Sequence, residues 1–377
     1  MFSSPIVMRR LTPIMRQQSH QMIRNLSTKT TTIDDAHIPI IDIAPLRDPS
    51  SSLESRKIVA KQIGDACEGI GFFIIVNHGV KQSIMDKVWN DTQEFFDLPL
   101  ETKIGKNSEL LMADDFPYGY SPYGGETLSK GKEAEGLEDT SDNAKAGDMK
   151  EMFAIGPYLE EAGVPLPRYP PELPSMATSW RAYFEEMEEL SQGLMRGFAL
   201  SLDLKEDWFV SKSNIHASSI RALNYPRLEG QSPPEPGRIR ASAHTDYGVL
   251  TILKSGGPGL QVKLLDGEWH SAPAVPNSYV INLGDLMSRW TNDKWRSTPH
   301  RVINPPDAQS DLNQRRQSMA YFCNLNMDAH IEAIPTCVSE ENPAKYPPTL
   351  AGDHLMAKHS ASTKGILDDS WMKDMLK

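Results

Sequence analysis

The alternation of short apolar runs with turn residues between positions 220 and 324 constrains the fold of this chain more than any other feature. Glycine- and proline-rich turns interrupt the runs there, for example at 256–259 and 266–267. Short strands that follow one another so closely are typical of a β-barrel or a β-sandwich. We therefore expect this part of the chain to build its core from small strands.

The preceding part of the chain has a different periodicity. Apolar residues recur at helical spacing in residues 51–67, 81–96 and 179–202, and short strand-like runs lie at 38–43 and 71–79. Residues 105–151 carry glycine, proline and aromatic residues and then a highly charged stretch, which is typical of a solvated loop. The sequence thus predicts a mixed α+β fold, with a helical region before the strand-rich core and a long flanking helix.

Length and composition exclude several classes of protein. The 377 residues suffice for one large domain or two moderate ones, and the formal net charge of −11 argues against a nucleic-acid surface. No apolar run reaches the roughly 18 residues of a membrane-spanning helix. The cysteines are too few and too widely spaced for a disulfide framework; they are Cys67, Cys323 and Cys337. We expect a protein of a reducing compartment that binds neither nucleic acid nor membrane.

Residues 1–33 differ from the remainder of the chain in charge. They contain no acidic residue, and removing their five positive charges would change the net charge from −11 to −16; the basic residues are Arg9, Arg10, Arg16, Arg24 and Lys29. A leader rich in Arg, Ser and Thr is typical of an organellar transit peptide, most of all a mitochondrial one. We predict a mitochondrial protein; the alternative is a cytoplasmic protein with a basic tail that has no targeting role.

A histidine and a carboxylate stand two positions apart at the start of the strand-like segment 241–253. Side chains at i and i+2 of a strand share a face, so His244 and Asp246 should project together. His300, in a second strand-like run, is the best candidate for a third ligand. Two imidazoles and one carboxylate leave three positions of an octahedral ion open, which suits non-haem Fe(II). Taken alone, His-x-Asp is more often a hydrogen-bonded pair or a strand edge, so other features must decide.

Two further segments carry residues that suit a bound dicarboxylate. Arg316 and Ser318 again occupy i and i+2 before an apolar run, and a buried guanidinium needs an anionic partner. A dicarboxylate chelating the metal at one end would place its other end against them; a structural ion pair is the alternative. Asn224 and Tyr225, at the end of a short strand, offer an amide and a phenol to the chelating carboxylate, although a tyrosine before proline is more often a packing residue.

With these residues in place, the sequence resembles the iron(II)/2-oxoglutarate-dependent oxygenases of the isopenicillin N synthase-like group. The resemblance runs from about residue 38 to 360 and keeps the order of His-x-Asp, distal histidine and Arg-x-Ser. The segments that carry it are IPIIDI at 38–43, GFFIIVNHG at 71–79, GYSPYGGE at 119–126, DMKEMFAIG at 148–156, GLQVKLLDGEW at 259–269, INLGDLMSRWTNDKWRSTPHRV at 281–302 and IPTCVSEENPAKYPP at 334–348.

The resemblance implies a double-stranded β-helix (jelly-roll) core with an N-terminal helical region packed around it. The expected divisions are a leader at 1–33, an N-terminal dioxygenase region at 37–165, the core at 215–330 and a C-terminal segment at 331–377. The implied iron ligands are His244, Asp246 and His300. The residues expected to hold 2-oxoglutarate are Arg316 and Ser318 at its distal carboxylate, and Tyr225 with the adjacent Asn224 at the carboxylate on the metal. The residues expected to serve only the architecture are His78, Asn282, Gly284 and Asp285.

The implied function is the oxidation, most simply the hydroxylation, of a small organic molecule by Fe(II), 2-oxoglutarate and O₂. Succinate and CO₂ are the expected co-products, ascorbate is an expected supporting reductant, and a monomer is the expected state. No catalytic residue beyond the metal ligands is expected, because no general base is required. The residues expected to contact substrate, with ordinary packing as the alternative, are Tyr120, Tyr123, Phe322 and Asn324.

Two other functions compete with this interpretation. Arg-x-Ser also occurs in ring-forming relatives that do not use 2-oxoglutarate, so an Fe(II) oxidase of the same fold, ring-forming or desaturating, is the alternative. A zinc hydrolase with the same three ligands would have no need for Arg316 and Ser318.

Overall fold

Two β-sheets face one another, and helices cover the outer face of the larger sheet. This computed structural model describes residues 38–105, 108–112, 118–126, 128, 148–159, 166–227, 239–304 and 315–363. The predicted leader at 1–33 and the charged stretch at 130–142 lie outside the described residues.

The helices confirm the three that apolar spacing predicts, with bounds shifted by a few residues. Ser52 caps the first of these, because its hydroxyl accepts a hydrogen bond from the amide of Ser55 at 3.1 Å. The described helices are α1 (Ala44–Arg47), α2 (Leu53–Gly69), α3 (Gln82–Asp97), α4 (Leu100–Ile104), α5 (Ser175–Ser201), α6 (Asp285–Trp290) and α7 (Ala351–Thr363). None of them combines the length and the apolar character that a membrane-spanning helix needs.

The larger sheet has the strand order β1-β2-β10-β7-β12-β5-β4-β3, and the smaller has the order β6-β11-β8-β9. Neighbours pair antiparallel, apart from the parallel pair β1 and β2. The strands are β1 (Ile40–Asp42), β2 (Phe72–Val76), β3 (Gly119–Ser121), β4 (Glu151–Ile155), β5 (Ser219–Tyr225), β6 (Ala241–His244), β7 (Leu250–Ser255), β8 (Leu260–Lys263), β9 (Trp269–Ser271), β10 (Tyr279–Leu283), β11 (His300–Val302), β12 (Arg316–Cys323), β13 (His330–Ile331) and β14 (Thr349–Leu350). Strands β13 and β14 form a separate pair.

Alternation along each strand of the larger sheet sends side chains into two separate cores. In β2, Phe73 and Ile75 pack toward the helices, whereas Phe72 and Ile74 pack toward the smaller sheet. This second core is open at one end, where polar residues of both sheets replace apolar ones around a pocket. The position of the pocket between the sheets is therefore a consequence of strand periodicity.

The predicted jelly-roll core with a long flanking helix is confirmed. Residues from Ile38 onward form one compact unit, which includes both the expected N-terminal region and the expected core. Four strands that precede residue 165 belong to the larger sheet, and β4 pairs directly with β5, with Glu151 opposite Asn224. The N-terminal region thus completes the sheet that carries the pocket.

Candidate metal and co-substrate site

Strand pairing brings the two predicted histidine ligands together. His244 ends β6 and stands directly opposite His300, which begins the antiparallel neighbour β11. Their ring centroids are 4.3 Å apart. Asp246 follows two residues after His244, and Nε2 of His244 and of His300 lie 3.9 and 3.8 Å from Asp246 Oδ1.

Hydrogen bonds to backbone carbonyls determine which ring nitrogen of His244 and of His300 is available to bind a metal. His244 Nδ1 lies 2.7 Å from the carbonyl oxygen of Ser242, and His300 Nδ1 lies 3.2 Å from that of Thr298. A carbonyl oxygen only accepts, so each Nδ1 carries the proton and each Nε2 keeps a lone pair. Both lone pairs face the same carboxylate oxygen.

The carboxylate of Asp246 is oriented in a similar way. Its Oδ2 accepts hydrogen bonds from the Thr251 hydroxyl at 2.5 Å and from the Asn282 amide at 2.7 Å. These two donors occupy one oxygen and leave Oδ1 to face the histidines. Asn282, which the sequence assigns to architecture, therefore contacts a predicted metal ligand directly.

Electrostatics favour the protonation states that bind a metal. Burial lowers the pKa of His244 to about 3, and the neighbouring His300 adds to the effect. Burial acts to raise the pKa of Asp246, but the two histidines and the hydrogen bonds from Asn282 and Thr251 outweigh it and lower that pKa. A neutral imidazole and an ionised carboxylate are the ligand forms that a cation needs.

The donor set fits a divalent transition metal. Two Nε2 atoms and one carboxylate oxygen converge, all within 4.8 Å of one another. Two imidazoles and one carboxylate that leave open positions form the ligand set typical of non-haem Fe(II) oxygenases. Phe72 packs its ring against His300 with centroids 5.4 Å apart, which limits the movement of that ligand.

The pocket extends from these ligands to a buried arginine. Arg316 is 4 % exposed, and none of the ion pairs among the described residues involves it. Its guanidinium donates to Ser255 Oγ at 3.1 Å, Ser318 Oγ at 3.3 Å and the Gly257 carbonyl at 3.4 Å. A buried cation whose hydrogen-bond acceptors are two hydroxyls and a carbonyl is suited to an anion that enters from the pocket.

Strand alternation separates the other two residues predicted to hold the co-substrate. Tyr225 lines the pocket and lies beside Arg316, whose guanidinium is 5.0 Å from the ring centroid. Asn224 points to the opposite face, where it donates to Glu151 Oε1 at 2.6 Å and accepts from Arg315 Nε at 2.7 Å. The structure therefore does not bring Asn224 into the pocket, because adjacent residues of a strand face opposite sides.

Of the four predicted substrate residues, two line the pocket and two do not. Phe322 and Asn324 line the pocket. Tyr120 lies in the core beneath the helices and donates to Glu151 Oε2 at 2.5 Å, so the structure does not bring it to the site. Tyr123 is 39 % exposed and is not among the described residues that line the pocket.

The architectural assignments are consistent with the contacts, apart from Asn282. His78 is buried against Tyr279, with ring centroids 4.7 Å apart, and lies outside the pocket lining. Gly284 is required by a close approach, because a Cβ there would lie 2.3 Å from the Gly248 carbonyl oxygen. Asp285 donates its amide to the Asp246 carbonyl at 2.8 Å, which holds the turn after β6.

Sequence reasoning missed a group of charged residues in the pocket wall. Glu126, Lys150 and Arg221 all line the pocket. Lys150 Nζ lies 3.0 Å from Glu126 Oε2, and Arg221 Nη1 lies 2.9 Å from Glu126 Oε1. The sequence does contain a sign of this group, because Arg221 is a charged residue between two apolar residues of a strand, Ile220 and Ala222.

Two family profiles match the chain. Residues 38–175 match one described as non-haem dioxygenase in morphine synthesis N-terminal, and residues 217–325 match one described as 2OG-Fe(II) oxygenase superfamily. A 2-oxoglutarate-Fe(II) type oxidoreductase of Metarhizium rileyi is 32 % identical, over 84 % of this chain and 86 % of that protein. A homoarginine-6-hydroxylase of Oryza sativa is 31 % identical, over 85 % of this chain and 96 % of that protein.

A solved structure extends the similarity to three dimensions. The crystal structure of a full-length Neurospora crassa protein in complex with alpha-KG and thymine has a TM-score of 0.74 to this chain. The two chains are 31 % identical, and the match covers 88 % of this chain and 99 % of the Neurospora protein. The similarity therefore includes both sheets and the helical layer.

Proposed function

The chain belongs to the 2OG-Fe(II) oxygenase superfamily, and we propose that it oxidises a small polar organic molecule beside an iron ion held by His244, Asp246 and His300. It is a 2-oxoglutarate-dependent dioxygenase, with Fe(II) as its metal. The residue assignment rests on the convergence of two histidine Nε2 atoms and Asp246 Oδ1. The Nδ1 atoms of the two histidines and Oδ2 of the aspartate form hydrogen bonds within the protein, so the converging atoms are left to bind a metal.

The protein supplies geometry and a dry environment to this reaction. Bound iron would supply the activation of O₂ that an unreactive C–H bond requires. Thr251 and Asn282 keep one oxygen of Asp246 directed at the metal position, and apolar residues such as Leu253 and Leu260 line the adjacent pocket. A binding site whose ligands are already oriented needs little reorganisation when the ion enters.

We assign the distal carboxylate of 2-oxoglutarate to Arg316 and Ser318. The support is a buried guanidinium in the same pocket as the triad, with hydroxyl groups of Ser255 and Ser318 beside it. The forked guanidinium matches a carboxylate in a bidentate manner. Because Arg-x-Ser also occurs in oxidases that do not use 2-oxoglutarate, the choice of 2-oxoglutarate is supported by the relatives described as 2-oxoglutarate-dependent and by the Neurospora structure in complex with alpha-KG. The contact of Tyr225 with the co-substrate stays a prediction.

The remaining wall suggests the class of the primary substrate. Phe322 presents a ring to the pocket, Arg221 lies over that ring at 5.6 Å, and Arg221 also pairs with Glu126. An aromatic face beside a charged pair suits a small molecule with hydrogen-bonding groups. The Neurospora protein is described in complex with thymine, and the rice relative as a homoarginine hydroxylase, and both compounds are small, polar and nitrogen-containing. We propose a substrate of that broad class.

The test is anaerobic addition of Fe(II) and then 2-oxoglutarate to the purified protein. We expect a visible charge-transfer absorption, which depends on both the metal and the chelating keto acid, followed by succinate release when O₂ and a substrate from a library of nitrogen-containing compounds are supplied. His244→Ala should abolish the absorption. A wild-type protein that binds Fe(II) but develops no absorption with 2-oxoglutarate would favour the alternative oxidase.

We also propose a mitochondrial location, supported by the basic leader at 1–33, which contains no acidic residue. A fluorescent reporter carrying these residues should accumulate in mitochondria. A diffuse cytosolic signal would contradict the proposal.

A further inference from the structure

Four charged side chains form a cluster next to His244; Asp148 and Lys150 are buried, and Glu126 and Arg221 are half-buried in the pocket wall. Lys150 Nζ lies 3.0 Å from both Asp148 Oδ2 and Glu126 Oε2, and Arg221 completes the cluster through Glu126. The side chains of Asp148 and Lys150 are 0 % and 1 % exposed. Two positive and two negative charges balance, as buried charges require.

Asp148 connects this cluster to the candidate iron site. Its Oδ1 accepts hydrogen bonds from the Ser242 hydroxyl at 2.5 Å and from the Ser242 amide at 3.2 Å. The carbonyl oxygen of the same Ser242 accepts the Nδ1 proton of His244 at 2.7 Å. Asp148 therefore fixes the residue whose carbonyl determines which way the His244 ring faces.

Asp148 accepts these hydrogen bonds in a fully buried position. Lys150 provides the compensating charge, and the Leu128 amide donates to the same Oδ2 at 3.3 Å. Lys150 also pairs with Glu126. Burial acts to raise the pKa of Glu126, but the positive charges of Lys150 and Arg221 outweigh it and lower that pKa to about 2. These ion pairs thus restrain all four side chains mutually.

We propose that Asp148 is a positioning residue for the iron ligand His244, that it acts through Ser242, and that Lys150 is its buried counter-ion. The inference rests on the proposed iron site. It assigns a role at that site to residues that precede the core strands. Groups that orient a metal-bound histidine commonly change metal affinity by about 10- to 100-fold when they are removed. A cluster that served stability alone would leave the affinity for iron unchanged.

The experiment compares Asp148→Asn with the matched control Asp91→Asn. Asp91 is also a buried acid paired with a lysine, Lys87, and it accepts from Ser179, but it lies under the helices in a different part of the molecule. Both full-length variants are titrated anaerobically with Fe(II), and their charge-transfer absorption with 2-oxoglutarate and their thermal unfolding are recorded. We expect Asp148→Asn to weaken Fe(II) binding about 10- to 100-fold and to shift the absorption maximum, while Asp91→Asn changes thermal stability alone.

A second variant provides the test if Asp148→Asn does not fold. Ser242→Ala removes the hydroxyl donor to Asp148 but leaves the buried charges paired, and it should weaken Fe(II) binding several-fold. Wild-type affinity and an unshifted absorption in Asp148→Asn, or in Ser242→Ala if the first variant does not fold, would overturn this inference while the proposed function stands. Failure of the wild-type protein to bind Fe(II) would overturn both.

Discussion

Replacing Arg316 with methionine removes the cation to which we assign the distal carboxylate of 2-oxoglutarate. The guanidinium is 4 % exposed and donates to two hydroxyls and one carbonyl, so the incoming carboxylate is its expected ionic partner. Truncating one partner of a buried, hydrogen-bonded charge pair costs about 2–5 kcal/mol. At about 1.4 kcal/mol for each factor of ten, the Kd for 2-oxoglutarate should rise roughly 30- to 4000-fold.

The same structure predicts the sign of the effect on stability. Burial lowers the pKa of Arg316, which reflects the cost of holding a charge there without an ionic partner. In the absence of 2-oxoglutarate, Arg316→Met should therefore be at least as resistant to thermal unfolding as the wild type. Stabilisation by added 2-oxoglutarate, about 2.7 kcal/mol at a hundredfold excess over Kd, should be lost.

The assay is anaerobic titration of the Fe(II)-loaded protein with 2-oxoglutarate, followed by its visible absorption and by calorimetry. Arg315→Met is the matched control, because Arg315 is the adjacent residue but pairs with Asn224 and Asp97 on the opposite face. Arg316→Lys should be intermediate, since it keeps a charge but loses the forked geometry. A Kd for Arg316→Met within about threefold of the wild-type value would refute the assignment, because the expected loss is at least about tenfold larger.

Three further predictions test other parts of the site. Thr251→Val should weaken Fe(II) binding by about tenfold, because Asp246 loses one of the two donors that orient it; unchanged affinity in an anaerobic titration would contradict this. Phe322→Ala should raise KM for the primary substrate while leaving the Kd for 2-oxoglutarate unchanged. An equal rise in both constants would contradict a specific contact of Phe322 with the substrate. For Glu126, the folded pKa of about 2 lies below the ordinary value of 4.5, so its stabilisation is complete above pH 4.5 and is lost as pH falls toward 2. Glu126→Gln should therefore show a flatter fall of the free energy of unfolding over that pH range in urea denaturation, and an equal fall would contradict the charge network.

The local features of this protein can be predicted from its amino-acid sequence. Helical spacing predicted α2, α3 and α5, because each buries one face that recurs along a single segment. The rule that i and i+2 share a strand face places His244 with Asp246, and Arg316 with Ser318, without reference to the fold. The same rule, applied to the adjacent residues Asn224 and Tyr225, would have excluded one of them from the pocket.

The contacts between distant segments depend on the packing of the whole fold. The register of β6 against β11 sets His244 opposite His300, and the insertion of β4 beside β5 makes the N-terminal region part of the same sheet. Neither pairing has a local signal, since strand partners depend on the whole packing of the two sheets. For the same reason Tyr120 lies beneath the helices instead of at the pocket. Asp148 and Lys150 belong to the segment that the sequence predicts as a loop, yet both are buried beside the candidate iron site.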